Sequence, residues 1–324
     1  MKVLIFEYIT GGGFNKQALP DALAKEGLLM LQALLDNFSK ISGIELLVML
    51  DSRLKGCLCA GRIEIAAINP KQNCHEEFSR LAKQCDTVWP IAPEFDGILL
   101  ALCQAVEQDT PLLTSPADAV AIASNKWSTY HHLVRHHIAT VPTQLLSGSH
   151  FYPGDWIIKP IDGAGCSNSH LITDQHDFDA ALKLAGQFII QPHLQGKKTS
   201  LSCLFKQGGA WLLSVNLQRF KVVNKQYQLV EITVNSNPDQ CLYQNLAEDI
   251  ARALPDLWGY VGIDLIETAG QTFVLEINPR LTTSFAGIYA ALGINVAEQV
   301  LRLLNGLPNI KAIRNKPINI NINQ

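Results

Sequence analysis

Two apolar runs, residues 260–267 and 272–277, flank a polar turn centred on Gly270. No other feature of the chain constrains its fold as tightly. The pattern predicts a β-hairpin. If the turn is symmetric, Asp264 stands opposite Glu276, and directly opposed side chains in an antiparallel pair sit about 5 Å apart at Cβ. Asn278 is two residues beyond Glu276 and projects from the same face. Ile263, Leu265, Leu275 and Ile277 are then expected on the other face. Two carboxylates side by side on a half-buried sheet repel and lose hydration unless a cation compensates them. Asp264, Glu276 and Asn278 all offer hard oxygen ligands, which suit Mg²⁺ better than zinc. Spacing alone also fits an exposed face carrying two unrelated acids.

The 324 residues leave room for two or three α/β units with ample core. Hydrophobic content of 48% against 17% charged residues marks a globular chain. The net charge of −3, without a long basic run, argues against a dedicated nucleic-acid binder. Residues 1–6 read as a buried strand, too short for a signal peptide's apolar region. No uninterrupted apolar run is long enough to span a bilayer. A cytoplasmic location is therefore expected, with no membrane partner. The 8 cysteines are scattered and mostly embedded in apolar runs, so they read as reduced, buried small hydrophobes. Whether the chain forms a homodimer stays open.

Strands and helices alternate through the first third. Strands are expected at 2–8, 44–50, 64–68, 87–91 and 111–114, and helices at 22–38, 74–84 and 97–107. This rhythm predicts a parallel sheet with helices on both faces. Ser115-Pro116 starts a new helix, with Ser as cap and Pro in the first turn. Short helices near 116–123 and 125–136 precede strands near 155–160, 168–172 and 187–191. Antiparallel signals then dominate: 199–206, a Gln207-Gly208-Gly209 turn, 210–222 and 227–234. An amphipathic helix at 242–254 leads into the acidic hairpin, and a helix at 295–304 closes the pattern. The final polar dozen residues read as a loose tail or an edge strand.

A second stretch, Asp155-Trp156-Ile157-Ile158-Lys159-Pro160, delivers a lysine from an apolar strand straight into a glycine-containing loop, residues 163–168. Such loops let backbone N–H groups approach phosphate oxygens while a nearby lysine supplies charge. It is no Walker A loop, since no Gly-Lys-Ser/Thr closes it; a plain surface hairpin fits it as well. Lys126 sits near a helix start. Residues 188–194 form an apolar strand running into a linker, where exposed main-chain groups could hold a purine. His131, His132, His136 and His137 cluster without the acid of a zincin motif and read as a solvated helix face.

In this order, a lysine, a Lys-Pro with a glycine loop, a Gln-bearing hinge, and Asp…Glu-x-Asn-Pro-Arg, the pieces resemble the ATP-grasp superfamily over residues 116–304. The resemblance implies a mixed α/β (α+β grasp) fold. Residues 1–115 would be an N-terminal parallel α/β pre-grasp domain. A two-lobed grasp would follow, with a small lobe and lid loop at 116–190 and a metal-bearing lobe at 191–324. It implies ATP as the nucleotide and Mg²⁺, with Mn²⁺ as the alternative ion. Lys126 and Lys159 would contact the nucleotide phosphates, and the loop carrying Gly163, Gly165 and Ser167 would close over them. Gln191 and the backbone at His193 and Leu194 would hold adenine. Asp264, Glu276 and Asn278 would hold the metal, with Arg280 and Lys159 acting on the transferring phosphoryl group or the substrate carboxylate. Many relatives carry an acid at or just after the hinge, often bonding ribose. Here Pro192, Lys197 and Lys198 stand there, which leaves the ribose contact unassigned.

The opening Phe6-Glu7-Tyr8-Ile9-Thr10-Gly11-Gly12-Gly13, taken with Asn278-Pro279-Arg280-Leu281-Thr282-Thr283-Ser284, looks like the tyramine–glutamate ligase group of methanofuran-type cofactor biosynthesis. That resemblance implies an ATP-dependent carboxylate–amine ligase working through an acylphosphate, joining glutamate to tyramine or tyrosine; another ATP-grasp amino-acid or peptide ligase, or a non-catalytic nucleotide-binding regulatory protein, is the alternative. Glu7, Tyr8, Gly11 and Gly12 are the expected substrate contacts at the carboxyl edge of the first sheet. Asn216, Gln218 and Arg219 are further candidates on a strand near the hairpin, and also fit solvent-facing positions.

Overall fold

The computed structural model describes residues 1–58, 63–163, 168–184, 186–237 and 240–322. Its first unit is a parallel sheet of β1 (Lys2–Glu7), β2 (Glu45–Asp51), β3 (Ile63–Ile68) and β4 (Thr87–Ile91), in the order β3-β2-β1-β4. All residues of β1 beyond Lys2 are buried, as expected of a strand covered on both faces. The connecting helices are α1 (Asp21–Phe38), α2 (Cys74–Ala82) and α3 (Ile98–Val106). In α1 the apolar stripe of Met30, Leu31, Leu34, Leu35 and Phe38 turns inward. The Asn73 side chain caps α2 by accepting from the amides of His75 and Glu76. The expected strand at 111–114 shrinks to one parallel bridge, Leu112 with Val88. Pro111 has no N–H to extend that ladder.

Two short helices, α4 (Ala117–Ala123) and α5 (Lys126–Arg135), lead to the second unit. Its strands are β5 (Gln144–Leu145), β6 (Trp156–Pro160), β7 (His170–Ile172), β8 (Phe188–Pro192), β9 (Lys197–Lys206), β10 (Gly209–Val223), β11 (Gln226–Val234), β12 (Gly259–Glu267), β13 (Thr272–Asn278) and β14 (Ile318–Asn321). They form one antiparallel sheet in the order β13-β12-β9-β10-β11-β7-β6-β8-β5, with β14 added along β11. The polar tail thus resolves as an edge strand.

Helices α6 (Gln175–Ala181), α7 (Cys241–Ala253), α8 (Phe285–Leu292) and α9 (Val296–Asn305) complete the unit. Sequence periodicity misses α6 and α8 for different reasons. Helix α6 is two turns long and announces itself only through its cap, Asp174 accepting from the Asp177 amide. Helix α8 is apolar nearly all round, so it has no polar face to set a period. It packs with α1 and α9 in one core that joins Leu31 and Leu34 to Phe285, Ile288 and Val300. That packing lays α1 of the first sheet against the segment that follows β13. No described helix is long and apolar enough to cross a membrane.

Candidate active site

Strands β12 and β13 pair antiparallel with Asp264 opposite Glu276 and Gly262 opposite Asn278. The register then shifts by one residue, so that Leu265 faces Val274. This bulge corrects the symmetric turn: Leu275 leaves the core face and lines the cleft, while Val274 takes its place in the core. The acids lie on a network of their own. Gln218 Nε2 donates to Asp264 Oδ1 (2.9 Å) and Asn278 Nδ2 donates to Asp264 Oδ2 (3.1 Å). Asn278 therefore keeps its carbonyl oxygen as an acceptor.

Two lysines approach the same face. Lys126, at the first helical position of α5, is brought in by the Asn125 cap and by its own amide bonding Ile161 O. Its Nζ lies 2.9 Å from Glu276 Oε2 and donates to Gly163 O at 2.6 Å. Lys159 lines the cleft from β6, and its charge also acts on Glu276. Burial, and then the neighbouring Glu276 charge, push Asp264 up to about 7. Burial works to raise Glu276 as well, but Lys126 and Lys159 outweigh it and hold that carboxyl down at about 2. The pair thus holds a proton more readily than two free carboxyls, on the Asp264 side, with Glu276 facing the lysines. A divalent cation would compensate both acids.

At the hinge, Gln191 is buried at 3% exposure and lines the cleft. Its Nε2 donates to Thr143 Oγ1, whose own hydrogen goes to Val141 O. That fixes the amide orientation and leaves Gln191 Oε1 buried without a hydrogen-bond partner among the described residues. Such an acceptor calls for a donor from outside, and an exocyclic purine amine supplies one. The His193 N–H donates to Asp155 O at 2.9 Å, which leaves the carbonyl as the part of that backbone able to meet the expected adenine. The His193 ring lines the cleft, 2.6 Å from Tyr227 Oη. Burial, then the Lys198 charge, lower its pKa. Leu194 lines the cleft, and among the described residues no hydrogen bond occupies its N–H. Gly163 lines the cleft too, whereas Gly165 and Ser167 lie outside the described residues.

Arg280 closes the other end. Its Nε and Nη2 donate to the two oxygens of Glu94, at 2.8 and 2.7 Å, and Nη1 donates to Leu281 O. Glu94 is only 4% exposed and comes from the first unit, just past β4. Burial opposes the charge on Arg280, but Glu94 outweighs it and raises the pKa above the ordinary value. Sequence reading missed Glu94, although an acid past the carboxyl end of a parallel strand is a usable signal. It also missed Glu26, which lines the cleft from α1 and accepts a hydrogen bond from Thr283 Oγ1.

Several expected substrate contacts are not brought to this cleft. Glu7 is 2% exposed, and its carboxylate accepts from the Thr10 amide and hydroxyl and from the Ile9 amide. Tyr8 packs on Phe6, Phe14 and His75. Gly11 and Gly12 are packing glycines: a Cβ on Gly11 would meet Phe6 at 2.6 Å, and Gly12 holds φ +111° against Ile68. Asn216 is buried among Ser200, Ser202, Ser214 and Asn235. Arg219 is 65% exposed and pairs with Glu231. Of that strand's three candidates, Gln218 alone lines the cleft. The histidine cluster makes no metal site among the described residues: His131, His136 and His137 are exposed, and His132 bonds Ala253 O.

Comparison with known proteins gives the chain's family and fold. A family model of the ATP-grasp domain matches residues 123–284, and one of the pre ATP-grasp 3 domain matches residues 44–120. The tyramine–L-glutamate ligase of Methanocaldococcus jannaschii is 26% identical over 289 residues, covering 88% of this chain and 84% of its own. Among solved structures, an ATP-grasp superfamily protein from Archaeoglobus fulgidus superposes with a TM-score of 0.75 at 22% identity, covering 99% of this chain and 92% of that one. An L-amino acid ligase from Bacillus licheniformis does so with a TM-score of 0.66 at 14% identity, covering 97% and 78%.

Proposed function

The chain belongs to the ATP-grasp family of ADP-forming carbon–nitrogen ligases, and we propose that it joins the carboxylate of glutamate to tyramine, or to tyrosine, through an acylphosphate. The observation that carries the reading is the convergence of an oxygen-ligand face, two lysines, an unpartnered hinge acceptor and a buried arginine on one cleft. On this reading residues 1–115 form the preceding unit, 116–190 the small lobe and 191–324 the metal-bearing lobe. The similarity to tyramine–glutamate ligases over most of the chain supports the choice of substrates.

Asp264, Glu276 and the Asn278 carbonyl would hold Mg²⁺, and Mn²⁺ fits the same hard donors. When bound, the ion neutralises phosphate charge and draws the phosphates onto this face. The protein's own residues do the rest by position. Gln191 accepts from the adenine amine, and the Leu194 N–H is the hinge donor beside it. Lys126 and Lys159 offset charge on the phosphates as the γ-phosphoryl group leaves ADP for the substrate carboxylate oxygen. Arg280, held rigid by Glu94, stabilises charge on that carboxylate and on the phosphoryl group in flight. The amine nitrogen then attacks the acyl carbon. The carbon–oxygen bond to phosphate breaks, the nitrogen sheds a proton, and an amide and inorganic phosphate leave. Water must be kept from the acylphosphate, and the glycine-containing loop after Lys159 is suited to that.

Release of ADP by the purified protein, measured with glutamate and each of tyramine, tyrosine and other amines, tests the proposal. ADP formation that needs both a carboxylate and an amine is expected. Tight binding of ATP–Mg²⁺ with no ADP from any pair would sink it.

A further inference from the structure

The two ends of the cleft carry opposite needs. At the nucleotide end Lys126, Lys159 and Lys198 line the wall beside Asp264 and Glu276. At the far end the charges are Arg280, Glu94 and Glu26. Arg280 is already matched by the bidentate Glu94. Glu26 acts on the same guanidinium without bonding it, so one cation there faces two carboxylates and that end is net negative. The Glu26 carboxylate is half-buried and lines the cleft. One oxygen accepts from the Thr283 hydroxyl. Among the described residues no lysine or arginine forms an ion pair with it.

The placement of Glu26 follows from the helix that carries it. Met30 is buried on α1 four residues on, and Gly27 is buried beside it. Glu26 is thus an acid at the edge of an inward-facing stripe, where an apolar residue would be expected. Gly27 lets α1 settle onto the first sheet, since a Cβ there would come within 2.5 Å of the Glu7 carboxylate. The Thr283 bond then ties Glu26 to the segment that also carries Arg280. A half-buried acid that lines a cleft with no lysine or arginine in ion-pair range leaves a place there for a cation carried by a ligand. One carboxylate and one hydroxyl are a thin ligand set for a hard metal ion. They suit an ammonium group, which needs a charged acceptor and further hydrogen-bond acceptors around it.

Resting on the ligase reading above, we propose that Glu26 recognises the ammonium group of the carboxylate substrate, so that the enzyme selects an amino acid over the same acid without its amine. Arg280 receives the reacting carboxylate and Glu26 the ammonium, which sets the substrate's direction in the cleft.

The test compares glutamate with glutarate, its deaminated counterpart, as acyl donor at a fixed amine. The readout is the ratio of their kcat/KM values in the wild type, Glu26→Gln and Glu26→Asp. The wild type is expected to prefer glutamate by about 100-fold or more, the effect of one charge-assisted contact. Glu26→Gln is expected to bring that ratio near unity, chiefly through the KM of glutamate, and Glu26→Asp to restore part of it. An equal loss with both donors would mean a structural role and overturn the proposal. So would an effect on the KM of the attacking amine, or on the Mg²⁺ requirement, with the donor ratio unmoved. If the wild type makes no product from glutamate, the substrate assignment fails by itself. Glu26 is then judged by thermal shift of the ADP–Mg²⁺ complex with each proteinogenic amino acid and its deaminated form. Stabilisation by an amino acid that disappears in Glu26→Gln sustains the role, and its absence across the set refutes it.

Discussion

Glu7 is a buried carboxyl and Asp264 a half-buried one, both at strand positions, and loss of hydration pushes both up to about 7. Their surroundings give those similar shifts opposite meanings. Glu7 is closed in by its own loop, with Thr10 and Ile9 donating to it and α1 packed above at Gly27. At 2% exposure it is satisfied from within the fold. Asp264 opens onto a cleft, beside Glu276, with Lys126 and Lys159 across from the pair. A cation can complete that arrangement. A raised carboxyl pKa therefore records burial, and the groups that face the carboxyl decide whether it marks a site.

The strongest way to break this comparison is Glu276→Ala. It should lower turnover by about 1000-fold or more, by removing a metal ligand and the lysines' charge partner. Circular dichroism should show the fold intact, and retained activity would refute the metal assignment. Next comes Glu94→Ala, which strands a buried guanidinium. A loss of about 3–5 kcal/mol in denaturant unfolding is expected, together with a fall in kcat. A loss below about 1 kcal/mol would show that Arg280 finds another partner.

Glu7→Gln sharpens the contrast from the other side. The folded state holds the Glu7 proton up to about 7, against an ordinary value of 4.5. The folded chain therefore binds that proton more tightly than the unfolded chain does. Wild-type stability should fall as pH rises through this window and level off above it. The cost at pH 8 is about 3 kcal/mol, from the size of the shift. The variant should remove that contribution in urea titrations at pH 5 and pH 8, while changing kcat/KM far less than Glu276→Ala. A variant with the wild-type pH dependence would place the proton elsewhere. The smallest effect is expected from Arg219→Ala, whose exposed pair with Glu231 at 3.6 Å contributes under about 1 kcal/mol. A loss of substrate affinity in that variant would return Arg219 to the site.

Much of the cleft was legible because its parts are local. Asp264, Glu276 and Asn278 share a face by the alternation of one hairpin, and that holds wherever the hairpin lies. The one-residue bulge escaped, because Leu275 and Val274 are both apolar and either could fill the core face. Glu7, Tyr8, Gly11 and Gly12 looked like a ligand loop at a sheet edge, and packing turned them into its support. No local pattern tells an acid that faces a ligand from one enclosed by its own turn. His193 shows the same limit at a single atom, since its amide was available by sequence and the strand edge at Asp155 took it.

The sequence by itself determined most of the strands and helices and the face that Asp264, Glu276 and Asn278 share, since period and spacing along the chain govern these; the two lysines were named by the family resemblance, not by spacing. The tertiary structure alone decided what stands across from them. Glu94 reaches Arg280 over 186 residues, and Glu26 reaches Thr283 over 257. Such pairings depend on α1 packing against α8 and α9, and burial, not sequence distance, sets their energy.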